Sequence, residues 1–158
     1  MSNLKGFRTA KGLKIEEKRL IEEIKNFILF DKNFKYKVIV GTDSEDHKDK
    51  VEFISVIVVH RIGYGARFFW KRSFTNSTDL YSRLWQEALF SLELSKELLF
   101  KLIEEKLEFE FEVHLDLGTN GKSNSVVKEI INLIRGYGFE VKVKPYSFAA
   151  SKIADHLL

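Results

Sequence analysis

The stretch Val38-Ile39-Val40-Gly41-Thr42-Asp43-Ser44 reads as an apolar strand that ends by presenting a carboxylate, two hydroxyls and a glycine to whatever lies beyond it. A second stretch has the same design: Phe111-Glu112-Val113-His114-Leu115 runs into Asp116 and then into Gly118-Thr119-Asn120-Gly121-Lys122-Ser123. Two strands that each end in an Asp imply one sheet, with the first strand at its centre, and one shared acidic site.

Outward from these strands, apolar spacing assigns the remaining elements. Upstream, Leu20, Ile21, Ile24, Phe27 and Ile28 recur at helical spacing among Lys and Glu, which predicts an amphipathic helix over 15–30. Residues 1–12 have little periodicity and two glycines and read as an arm. Downstream of the polar turn at 44–50, Val51–His60 carries β-branched residues on both parities, as a strand buried on both faces does. Gly63-Tyr64-Gly65 turns the chain into a third strand, Ala66–Phe74, so the first three strands form an antiparallel meander. Thr78 or Asp79 caps a long helix to about Glu105, whose apolar stripe includes Leu80, Leu84, Ala88, Leu92, Leu99 and Leu102. After the strand ending at Asp116, a helix over Ser123–Arg135 is stopped by Gly136-Tyr137-Gly138. Phe139–Lys144 alternates like a strand near an edge, Pro145 closes it, and a last helix runs from Ser147 to Leu158. The expected organisation is α/β: residues 1–33 an arm and helix packed on the domain, then β-β-β-α-β-α-β-α over 34–158.

At 158 residues and 44% apolar composition the chain can bury the core of one domain. It has no apolar run long enough for a membrane span and no secretory h-region at its start, so a cytoplasmic location without membrane contact is expected. Cysteine is absent, so any metal must be held by oxygen or imidazole, which favours magnesium or manganese. A net charge of +3 permits nucleic acid as a partner without demanding it.

The element order, with one Asp ending the first strand and another ending the fourth, resembles the ribonuclease H fold. Val40-Gly41-Thr42-Asp43-Ser44, His114-Leu115-Asp116 with Gly121-Lys122-Ser123, and Lys144-Pro145-Tyr146-Ser147 leading into Ala154-Asp155 are similar to a bacterial family of uncharacterised ribonuclease H-like proteins typified by YkuK, over nearly the whole chain. The resemblance implies a five-stranded mixed sheet flanked by helices and a two-metal nuclease site acting on RNA or DNA. It brings no defined substrate. A non-catalytic nucleic-acid-binding or assembly module on the same fold is the alternative.

Hydrolysing a phosphodiester requires an activated water and stabilisation of added negative charge, which two divalent cations about 4 Å apart can supply if several carboxylates hold them. Asp43 is the first candidate ligand, at the strand end and at the position of the leading catalytic Asp by fold resemblance; its alternative is a turn residue beside Ser44 and Asp46. Asp116 is the second, although alternation puts it with Glu112 and His114 on a face that also reads as solvated. Glu87 is the third, on the edge of the long helix's apolar stripe beside Leu80, Ser91 and Leu98, whereas Glu93 and Glu97 fall on the outer face. Asp155 is the fourth, carried by the resemblance; it points away from the apolar face of Ala149, Ala150, Ile153, Ala154 and Leu157. The four histidines form no ligand-spaced set, though His47 or His156 could serve in proton transfer.

The segment ending Gly121-Lys122-Ser123 invites a phosphate-loop reading, but that pattern needs a glycine where Asp116 stands. Ser123 or Asn124 is better read as a helix cap, with Lys122 on a backbone phosphate. Ser44, Lys122, Ser123 and Lys144 are the candidate substrate contacts. Arg61, Arg67, Lys71, Arg72, Lys142 and Lys144 are candidates for holding a strand, with Phe69, Trp70 and Tyr146 for stacking.

Overall fold

The computed structural model describes residues 2–117 and 124–147. Within them the chain forms β1 (Arg8–Thr9), α1 (Glu17–Phe30), β2 (Tyr36–Asp46), β3 (Lys50–Arg61), β4 (Ala66–Asn76), α2 (Leu80–Glu104), β5 (Glu110–Leu115), α3 (Asn124–Gly136) and β6 (Glu140–Lys142). The strands make one mixed sheet in the order β1-β4-β3-β2-β5-β6. β2, β3 and β4 are the antiparallel meander, while β5 joins β2, and β6 joins β5, in parallel.

Local sequence accounts for most of this. Gly63 and Gly65 adopt φ of +86° and +95°, a left-handed backbone that turns β3 into β4 and that a side chain would strain. The Asp79 carboxylate accepts from Ser82 N at 2.8 Å and starts α2. The crossover through α2 is what lets β5 lie parallel to β2. From Val51 to Val59, β3 is buried at every position except Glu52, because helices pack on one face and a second cluster of Ile39, Ile54, Val56, Val58 and Trp70 fills the other. On the helix face, Leu20, Ile24, Val38, Val40, Ile57 and Leu98 form the central core, and Leu92, Val113, Val127 and Ile130 extend it under α3.

Several expectations need correction, among them that the first strand ends at Asp43: β2 runs on to Asp46. The sheet has a sixth strand, because the N-terminal arm is folded in: Arg8 and Thr9 pair with Trp70 and Phe69. Leu4 and Phe7 are buried in the central core, where an aperiodic segment leaves no sequence signature but each side chain contributes about 1.5–3 kcal/mol. The Lys71 ammonium donates to the carbonyls of Asn3 and Lys5, and Asn3 N donates to Glu97 Oε2 at 2.7 Å. Glu97 therefore anchors the arm and does not simply face solvent. For the same reason Phe69 and Trp70 are interior and Lys71 is committed to the arm, so none of the three is available to a strand. The predicted last helix lies outside the described residues except for Ser147. No helix among the described residues is long and apolar enough to cross a membrane.

Candidate functional site

The last paired positions of β2 and β5 are Thr42 and Leu115, so Asp43 and Asp116 are the next residues along two adjoining strands, whose axes run about 4.8 Å apart. Their side chains share a face. Ser91 Oγ donates to Thr42 Oγ1 at 2.9 Å, Thr42 meets Ser55 Oγ at 3.0 Å, and Ser44 Oγ donates to Glu87 Oε2, so Thr42 and Ser44 look toward α2. Alternation sends Asp43 to the opposite face, where Asp116 also lies because Val113, Leu115 and Leu117 pack toward α2 and α3.

Each carboxylate has a distinct setting. Asp43 is partly buried, and its Oδ1 accepts from Ser44 N at 2.8 Å. Asp116 Oδ1 lies 3.2 Å from Lys144 Nζ, while Lys144 N donates to Leu117 O at 3.2 Å and so ties that cation to the end of β5. Glu87, expected on the edge of the apolar stripe of α2, is only 6% exposed. Burial pushes its carboxyl up to about 8; the Ser44 hydroxyl and Arg83 pull it down, and Asp43 and Asp116 push it further up. It is mainly protonated at pH 7. Arg83, which sequence reasoning did not single out, donates from Nε to Ser44 Oγ at 2.7 Å and from Nη2 to Ser44 O at 3.3 Å. An Arg one turn before a stripe-edge Glu is the signal that would have found it.

The donor set consists of oxygens alone and suits a hard divalent cation at Asp43 and Asp116. Among the described residues, however, no group of three or more His, Asp or Glu could hold a metal ion. Glu87 senses both aspartates but reaches this end of the sheet from the helix face. Asp155, Lys122, Ser123 and His156 lie outside the described residues.

The polar face of β5 is not solvated, contrary to one of its two readings. Glu112 and His114 are buried, with Lys37 Nζ 2.8 Å from Glu112 Oε2 and His114 Nε2 2.9 Å from Glu112 Oε1. Among the other candidates, His47 approaches Glu52 at 3.6 Å, Arg72 bonds Glu52 at 3.1 Å, Lys142 pairs with Glu140 at 3.2 Å, and Tyr146 is exposed.

Comparison with known proteins agrees with this architecture. A family model described as "Ribonuclease H-like" matches residues 19–157. The "Uncharacterized protein YkuK" of Bacillus subtilis (strain 168) is 29% identical over 152 residues, spanning 86% of this chain and 87% of that one. No solved structure matches the chain.

Proposed function

This chain belongs to the ribonuclease H-like family, and from that premise we propose that it is a metal-dependent nuclease hydrolysing phosphodiester bonds of RNA or DNA. The observation that supports the reading is the register of β2 and β5, which sets Asp43 and Asp116 side by side, with the Glu87 carboxyl coupled to both. Asp43 and Asp116 would hold magnesium or manganese, with Glu87 and Asp155 completing a set for two ions. When bound, such ions lower the pKa of water and polarise a phosphoryl oxygen. The chain's own residues hold and place charge around that pair. Lys144 offsets the repulsion between the two aspartates and is exposed enough to pass to a backbone phosphate. Arg83 and Ser44 orient Glu87, whose carboxyl keeps a proton that a nearby cation would displace.

A second reading, a nucleic-acid-binding module without hydrolysis, is favoured by the lack of a three-ligand group among the described residues and by the Lys144 pairing of Asp116. Incubating labelled single-stranded and duplex RNA and DNA with manganese separates the two. Cleavage is expected, with loss in a chelator and in Asp43→Asn and Asp116→Asn. Either variant cutting at the wild-type rate overturns the assignment, and binding without any cleavage by the wild type leaves the second reading.

A further inference from the structure

The end of the sheet away from the aspartates carries a different chemistry. Arg61, the last residue of β3, pairs with Tyr36, the first of β2. Asp43 lies seven positions along β2 from Tyr36, a distance of about 23 Å. The Arg61 guanidinium donates to Tyr36 Oη at 3.0 Å and to Phe27 O at 3.1 Å. It lies 4.2 Å from the ring centre of Phe27, 5.9 Å from Phe30, 5.8 Å from Phe34 and 5.6 Å from Tyr36. Tyr64 extends the cluster, its ring 4.3 Å from that of Phe34. Arg67 lies 5.6 Å from the Phe27 ring and is paired with Glu23.

Much of this aromatic surface is open. Phe30 is 84% exposed and Tyr64 67%, in a region where exposed Lys32 and Lys35 join the two arginines. The acids nearby are already engaged: Glu23 bonds Arg19 and Arg67, and Asp31 accepts from Asn33 N. Among the described residues no carboxylate lies within ion-pair distance of Arg61. A cleft of about 270 Å³ lined by Glu23, Asn26, Phe27, Phe30, Arg61 and Arg67, in which Glu23 is paired with Arg67, is below the size of a drug-like ligand pocket and suits one flat ring. Rings that offer open faces beside the Arg61 guanidinium, which has no carboxylate partner among the described residues, match a ligand that alternates flat bases with phosphates. A duplex hides its base faces, and an acidic protein would need the cations without the rings.

We propose that the aromatic cluster around Arg61 is a binding platform for single-stranded nucleic acid, with bases stacking on Phe30 and Tyr64 and phosphates meeting Arg61 and Arg67. The proposal rests on the nucleic-acid part of the reading above and is independent of hydrolysis. The test measures fluorescence anisotropy of labelled oligo(dT) and oligo(U) with the full chain in EDTA. Phe30→Ala and Tyr64→Ala should each weaken binding roughly five- to tenfold, the loss of one stacked base, while Phe30→Trp retains it. Arg67→Ala should weaken binding and lower the salt slope by about one unit. Phe30→Ala and Tyr64→Ala at wild-type affinity, with unchanged melting, would overturn the platform and leave the nuclease assignment to its own cleavage test. Self-association lost in Phe30→Ala, with no oligonucleotide bound by the wild type, would also overturn it in favour of a second copy of the chain.

Discussion

Glu87 and Glu112 have similarly little exposed surface, 6% and 7%, on opposite faces of one sheet, yet Glu87 is the more deeply enclosed and keeps its proton while Glu112 is ionised. At Glu112 burial pushes the carboxyl up, but hydrogen bonds from Lys37 and His114 outweigh it and keep the group below the usual carboxylate range. At Glu87 burial wins, because its hydrogen-bonded neighbour is a neutral hydroxyl and the Arg83 guanidinium acts one bond further away. Depth of burial and an ammonium in direct contact together decide whether a glutamate is charged. Glu112 is thereby a fixed structural anion, whereas Glu87 titrates near neutrality beside the two aspartates.

The comparison predicts opposite pH dependences. Glu87 is raised from 4.5 to about 8, so between these values the folded chain keeps a proton that the unfolded chain has lost. Its stabilising contribution is therefore present below the unfolded value and lost as pH rises, at about 1.4 kcal/mol per unit and on the order of 5 kcal/mol in all. Glu87→Gln cannot lose that proton. Its urea stability in metal-free buffer should gain on the wild type by this amount from pH 4.5 to 8, and a constant difference would break the contrast.

Lys37→Met removes the ammonium that keeps Glu112 charged. The pair is only partly exposed, so the cost at pH 7 should be about 2 kcal/mol, between the values typical of surface and buried pairs. Because the Glu112 pKa is depressed, its contribution is present above the unfolded value and lost as pH falls, and the deficit should shrink on acidification below the carboxylate range. Chemical denaturation at neutral and acidic pH reads this; an unchanged deficit would mean that Lys37 does not set the charge of Glu112.

Arg83→Met should cost about 1 kcal/mol through its bonds to Ser44 and move the Glu87 carboxyl further up, read by carboxyl-carbon NMR. A downward movement would contradict the arrangement. Lys144→Ala should be the smallest change, within about 0.5 kcal/mol, because the Lys144 end of that pair is largely exposed, and the difference should vanish at high salt. A larger loss would place Asp116 nearer the Glu112 class of buried, fixed anions.

Much of the fold was legible in the residues. The Val38–Ser44 strand is the middle of the five longer-range strands, Asp79 caps α2 as its position suggested, and Glu140–Lys142 is an edge strand. The adjacency of Asp43 and Asp116 was legible too, since parallel pairing of the two apolar strands brings these positions together, although β2 does not end at Asp43 but runs on beside β3 to Asp46. The setting of Glu87 was not, because a helical projection places a side chain on a stripe without showing that Ser44 and Arg83 close over it. The interior role of Phe69 and Trp70 and the anchoring of the arm by Lys71 and Glu97 escaped for a related reason: alternation in β4 does not reveal that residues 2–9 fold back across it.

The sequence by itself determined the kind and order of the elements and the positions of the two aspartates along their strands, because hydrophobic period, caps and turn glycines act within a few residues of one another. Tertiary structure alone decided which polar faces are buried, that Glu112 is an anion while Glu87 holds a proton, and that the rings of Phe27, Phe30 and Phe34 gather around Arg61. Those outcomes depend on desolvation and on charges brought within a few ångströms from elements far apart in the chain, and no local pattern encodes that distance.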